Sequence, residues 1–188
     1  MRALLVVLLW AVLVVAAACS APKMSVAEYV EAVEGATDAY IAEAQALAVT
    51  FHDSVESQVA QIVDEPPDDP VAAATEVTVT EMSLYLSLLE DAMGRYVDAL
   101  RELNPPDTLT AAHDEYVAAT ESVHGAMPAT REAVLTANDL DEVQAAVAGS
   151  GFRDGQLRFQ SSCTSLEQAV RDQGTGVDLG CVREDVVP

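Results

Sequence analysis

The sequence predicts an all-α protein built as an up-down-up-down four-helix bundle. Two observations carry this. Apolar residues recur at spacings of three and four along most of the chain, which is the mark of amphipathic helices. Clusters of proline or glycine then cut that pattern into four segments of similar length. The composition agrees: 51% of residues are hydrophobic but only 5% are aromatic. Such a chain folds, and it packs its helices closely around small side chains. A large cofactor pocket is not expected.

The first helix starts at Ser25. Ser25 and Glu28 have capping-box spacing, and Met24 and Tyr29 stand where a hydrophobic staple would. Tyr29, Val33, Ala36, Tyr40, Ala44, Leu47, Phe51 and Val55 form one stripe, so the helix should run to about Val63. Asp64-Glu65-Pro66-Pro67-Asp68-Asp69-Pro70 ends it, because prolines cannot continue the hydrogen-bond ladder.

Asp69 and Pro70 are a suitable N-cap and first helical residue for the second helix. Its stripe is Met82, Leu86, Leu89, Met93, Tyr96, Leu100 and Leu103. Val77-Thr78-Val79-Thr80 has strand-forming residues, but the helical neighbours should override them. Asn104-Pro105-Pro106 closes the segment.

Asp107 or Thr108 should cap the third helix. Leu109, Ala112, Tyr116, Ala119, Val123, Ala126, Thr130 and Ala133 define its inner face. Pro128 removes a hydrogen bond to the carbonyl of His124 and should kink it. Asn138 or Asp139 caps a fourth segment, marked by Leu140, Val143 and Val147. Gly149, Gly151 and Gly155 predict a break near residue 150. Phe152, Phe159, Cys163, Leu166 and Val170 then resume the spacing until Gly174 and Gly176. Four segments of this size would make a rod roughly 45 Å long.

Charge excludes whole classes of partner. The formal net charge is -22, with 31 Asp plus Glu against 9 Lys plus Arg. Nucleic-acid binding needs clustered Lys and Arg, so no nucleic acid is expected. An anionic bilayer surface is equally unsuitable as a direct partner. The imbalance is also uneven. From Met24 to Gly94 there are 15 acids and no Lys or Arg, whereas Arg95 to Pro188 carries seven Arg and 16 acids. That half suits either a solvated surface or a site for divalent cations or a basic partner.

The N-terminus reads as an address. Met1-Arg2 is a basic start, Ala3 to Val15 an apolar core, and Ala16-Ala17-Ala18 a small-residue end. This three-part pattern is that of a secretory signal peptide over residues 1–18. Ala16-Ala17-Ala18-Cys19 resembles the lipobox of bacterial lipoproteins, with Ala16 where that family favours Leu. The resemblance covers the leader only. It implies that Cys19 is diacylated and that the preceding segment is cleaved. Two acyl chains would anchor the chain stably to the cell membrane, on its extracytoplasmic face. The other reading is plain cleavage after Ala18. Removal of residues 1–18 would leave a charge of -23, since Arg2 is the only charged residue lost.

With Cys19 lipidated, Cys163 and Cys181 remain as a pair, and an exported compartment lets them form a disulfide. The expected organisation is a signal peptide (1–18), a lipidated N-terminus and tether (19–24), the bundle (25–173) and a disulfide-tethered tail (174–188). Leu100-x-x-Leu103-x-Pro105-Pro106-x-x-Leu109-x-x-x-His113-x-x-Tyr116 is similar to a pattern in uncharacterised exported helical proteins and lipoproteins. It implies the bundle and no activity.

The search for chemistry gives little. His113 and His124 share a helical face but lie roughly 16 Å apart by helical rise, too far to hold one metal. Glu121-x-x-His124 is half of a di-metal bundle motif, and His52 and His113 lack the other half. Asn138-Asp139-Leu140-Asp141-Glu142 lacks the glycine and final glutamate of an EF-hand. Asp64, Glu65, Asp68 and Asp69 read as a solvated turn. Ser161 and Ser162 lack a nucleophile-elbow setting. No catalytic residue, metal ligand or cofactor is assigned. The expected function is therefore non-enzymatic: interaction or scaffolding at the envelope, with a protein partner. Weaker readings are an acidic binding module over residues 24–94 and a metal-binding bundle around Glu121 and His124.

Overall fold

The computed structural model describes residues 22–149 and 151–181. The expected signal peptide, the expected lipidation site at Cys19 and residues 182–188 lie outside the described residues. The described chain is all-helical: α1 is Val26–Asp64, α2 Pro70–Arg101, α3 Thr110–Leu135, α4 Leu140–Gly149 and α5 Phe152–Asp172. No described helix is long and apolar enough to cross a membrane.

Local signals set most boundaries. Ser25 Oγ accepts from the Glu28 N–H, and the Glu28 carboxylate accepts from the Ser25 N–H at 2.8 Å, so the capping box is complete. The Ser25 contacts also hold the Glu28 carboxyl below its ordinary pKa. Asp69 Oδ1 accepts from the Ala72 N–H at 3.0 Å, with Pro70 in the first turn of α2. Val77 to Thr80 is helical, because one helix spans them on both sides. Asp139 Oδ1 accepts from the Glu142 N–H at the start of α4.

The fourth segment is two helices. The break falls where glycines concentrate, and Gly151 has φ +78, a left-handed conformation that other residues adopt at a cost. Gly155 lies on the far side of this corner. A Cβ placed there would sit 3.3 Å from the Val123 Cα, so the missing side chain lets α5 approach α3 at backbone distance.

The start of α3 differs from expectation. Neither Asp107 nor Thr108 caps it; the N-cap is Leu109, with no side-chain cap bond. Tertiary contacts outweigh capping here. Leu109 is 0% exposed, and its N–H bonds to the Pro106 carbonyl at 2.9 Å. Asp107 is drawn away to pair with Lys23. The buried face of α3 also shifts by one position in places, to His113, Met127 and Val134 rather than Ala112, Ala126 and Ala133. Larger side chains fill the core better than the alanines beside them. The helix continues through Pro128, which is exposed.

Each helix packs on the next: α1 on α2, α2 on α3, and α3 on both α4 and α5. The core lies where these meet, around Tyr29, Val33, Met93, Tyr96, Leu100, Leu109, Tyr116, Leu166 and Val170. Helix lengths are unequal. α1 has 39 residues and α3 has 26, so the distal parts of α1 and α2 pair mainly with each other. The fully buried residues of α1 are Tyr29, Val30, Val33 and Thr37, all in its first half.

The tail folds back onto α5. Cys163 and Cys181 bring their sulfurs to bonding distance, with Cα atoms 5.5 Å apart. Glu167 adds a second tie. Its Oε1 accepts from the Leu179 N–H at 2.9 Å, while its Oε2 pairs with Arg171 at 2.8 Å. Val177 and Leu179 are buried beside them.

Candidate functional site

The corner between α2 and α3 holds the most concentrated polar chemistry of the described residues. Leu100, Leu109 and Tyr116 are completely buried, and Pro105 is buried between them. The Met24 N–H donates to the Asn104 carbonyl at 3.0 Å, which fastens the entry to α1 onto this corner. The Leu-Pro-Pro-Leu-His-Tyr string is thus a packing unit. It bends the chain and seats two polar side chains, His113 and Tyr116, inside the core.

Those two residues join buried polar contacts that bridge three helices. Tyr29 of α1 meets His113 of α3, with its hydroxyl 3.0 Å from Nδ1 and its ring edge-on at 5.6 Å. Thr37 of α1 reaches the Tyr96 hydroxyl of α2 at 2.9 Å, and Tyr96 reaches the Tyr116 hydroxyl of α3 at 2.5 Å. Tyr40 stacks on Tyr96 at 5.1 Å, and Tyr116 meets Phe159 of α5 at 5.3 Å. Burial raises the hydroxyl pKa of Tyr29, Tyr40, Tyr96 and Tyr116, so all four are protonated donors at neutral pH. Burial also lowers the pKa of His113, partly offset by Asp114. We assign His113 as neutral, with Nδ1 accepting from Tyr29 and the ring proton on Nε2.

This gives a pH prediction with a definite sign. Unfolding frees His113 to take a proton near its ordinary pKa of about 6.5. The folded state binds that proton only at lower pH, so the unfolded state gains protons first. Stability is therefore present above about pH 6.5 and is lost as pH falls toward the folded-state pKa. The stability difference between wild type and His113→Gln, from denaturant unfolding at several pH values, should move against wild type on acidification. A constant difference would show that His113 does not titrate on unfolding. The comparison cancels the many surface carboxylates common to both proteins.

An open cleft of about 390 Å³ lies over this corner, lined by Lys23, Arg101, Thr110, His113, Asp114 and Glu121 among others. Its cations are already matched. Lys23 pairs with Asp107, and Arg101 pairs with Glu121 at 2.9 Å and Asp98 at 3.4 Å. Binding a charged ligand here would have to displace these partners.

The other candidates lie apart. His52 is exposed, 3.9 Å from Glu56. His124 is half-buried, and a Cβ placed at Gly94 would stand 3.3 Å from its Nε2. Its neighbour Glu121 is held by Arg101. Asp64, Glu65, Asp68 and Asp69 are exposed, with Asp69 used as a cap. Ser162 donates to the Phe159 carbonyl within α5. Among the described residues no group of three or more His, Cys, Asp or Glu gathers as metal ligands. The tyrosine contacts were missed from sequence, although a signal existed. Tyr29, Tyr40, Tyr96 and Tyr116 all sit on inner stripes, and a buried tyrosine hydroxyl needs a partner.

No protein-family model, no curated protein and no solved structure matches this chain.

Proposed function

We propose that the protein is a lipid-anchored, extracytoplasmic helical protein with a non-enzymatic interaction or scaffolding role at the cell envelope. The observation that carries this reading is the leader, a basic start and apolar core ending in Ala16-Ala17-Ala18-Cys19. The polar interior supports it. The tyrosine and histidine contacts tie helices together, and the cleft's Lys23 and Arg101 are engaged by carboxylates. These groups are used for architecture.

In this reading α1, α2, α3 and the broken pair α4–α5 form an up-down-up-down bundle. The Cys163–Cys181 bond forms in the oxidising compartment and tethers the tail. The chain would leave the cytoplasm by general secretion, lose residues 1–18 and retain acyl chains on Cys19.

Mass spectrometry of the mature N-terminus tests the anchor directly. Expression of Cys19→Ala should move the protein from the membrane pellet to the soluble or uncleaved fraction. An unmodified Cys19 in the wild type would sink the proposal. A second reading, an acidic binding module, is favoured by the cation-free run from Met24 to Gly94.

A further inference from the structure

His113 spends only one of its two ring nitrogens inside the protein. It is 5% exposed, and its Nδ1 is engaged by the Tyr29 hydroxyl at 3.0 Å. Its Nε2 bonds to none of the described residues. Nor is that nitrogen sealed in: among the described residues, the one buried side-chain atom without a hydrogen bond is Glu90 Oε2. His113 lines the cleft over the α2–α3 corner, so its Nε2–H opens on that space. A polar group this deeply set normally has a partner. For Nε2 the partner must come from the cleft.

Asp114 lines the same cleft and is exposed. Among the described residues it forms no ion pair, whereas Lys23 is matched by Asp107, and Arg101 by Glu121 and Asp98. The charge of Asp114 is felt by both Tyr29 and His113, where it favours the protonated forms. An anion entering the cleft would have to displace the carboxylates from Lys23 or Arg101. A cation need displace nothing, because it meets a carboxylate with no counter-ion. His113 and Asp114 are consecutive, so the ligand's acceptor and its cation must also be close together. Leu103, Pro105 and Val117 supply apolar lining beside them.

We propose that this cleft binds an α-amino amide, with its ammonium group on Asp114, its carbonyl oxygen accepting from His113 Nε2–H, and its apolar side chain against Leu103 and Val117. The same chemistry occurs in a free amino-acid amide and at the N-terminus of a peptide. The site needs neither the lipid anchor nor the scaffolding role, so failure of that reading leaves it standing.

The test uses the full chain in non-ionic detergent micelles, with isotope-labelled histidine, at about pH 7, where an α-ammonium group keeps its proton. The probe is leucinamide, followed by nuclear magnetic resonance. The His113 Nε2 signal should shift saturably, with a dissociation constant on the order of 1 mM for so small a ligand. The His52 and His124 signals should stay in place. N-acetyl-leucinamide lacks the cation and isopentylamine lacks the carbonyl, and each should bind about fivefold more weakly. Asp114→Asn should weaken leucinamide about fivefold as well. Asp114 is exposed, so that variant's circular dichroism and melting should match wild type. Glu115→Gln, exposed and outside the cleft lining, should bind as wild type does.

Absence of a saturable His113 shift would overturn the proposal. So would equal binding of the acetylated amide, or unchanged affinity in Asp114→Asn. An equal loss in Glu115→Gln would overturn it too, since bulk charge would then explain the binding. The amide of Leu-Gly-Gly distinguishes the two sources. Tighter binding of this peptide would support the site and assign it to peptide N-termini, and tighter binding of leucinamide would support it and assign it to free amides.

Discussion

Tyr116→Ala should be the most damaging single substitution in this protein, lowering unfolding stability by about 3–5 kcal/mol. Tyr116 is 0% exposed and packs where α2, α3 and α5 meet. Truncation would leave a cavity and leave the Tyr96 hydroxyl with Thr37 as its remaining partner. Tyr116→Phe separates the two effects. It keeps the ring, removes one hydroxyl, and should cost about 0.5–1.5 kcal/mol, because Tyr96 loses one of two hydrogen-bond partners and keeps Thr37. Urea unfolding followed by circular dichroism reads both values. A loss in Tyr116→Ala no larger than in Tyr116→Phe would show that the ring is not a packing centre. The raised tyrosine pKa values add a pH arm. Folded-state pKa values above the unfolded value of about 10 mean that stability is full below that pH and is lost as pH rises beyond it. Tyr116→Phe should soften this alkaline loss.

Reduction of the Cys163–Cys181 pair should produce the second-largest effect. The two cysteines are 18 positions apart. Closing a loop of that size restricts the unfolded chain and contributes on the order of 3 kcal/mol in the loop-entropy account. A reductant, or the Cys163→Ala/Cys181→Ala double variant, should lower the unfolding free energy by that amount in urea titration. The fold should survive, because Glu167 still bonds to Leu179 and the tail's Val177 and Leu179 stay buried. Thiol titration of the purified, unreduced protein should find neither Cys163 nor Cys181 free. Two reactive thiols in that preparation would remove the tether.

Elements with local causes were legible in the sequence. The Ser25–Glu28 box, the Asp69–Pro70 start and the glycine break near residue 150 each depend on residues a few positions apart. Helical class followed from periodicity for the same reason. The start of α3 was not legible, because the choice between Thr108 and Leu109 depends on what Leu109 buries and on where Lys23 reaches. The polar contacts were hidden for a related reason. Tyr29 and His113 are 84 positions apart, and Thr37 and Tyr96 are 59 apart. Sequence shows that each hydroxyl needs a partner; only the packing order of helices says which one. Counting cysteines singled out Cys163 and Cys181, and the fold brings their sulfurs together.

The unequal helix lengths have a consequence for the two ends of the molecule. The sole lysine, Lys23, and Arg101 sit at the foot of α1, beside the α2–α3 corner. The Pro66-Pro67 turn lies at the other end of a 39-residue helix, about 58 Å away by helical rise. Cations at the foot are each matched by a carboxylate, whereas Asp64, Glu65, Asp68 and Asp69 at the tip are exposed in a stretch with no Lys or Arg. The two ends thus stand several Debye lengths apart at physiological salt, and a charged partner at one end is not felt at the other.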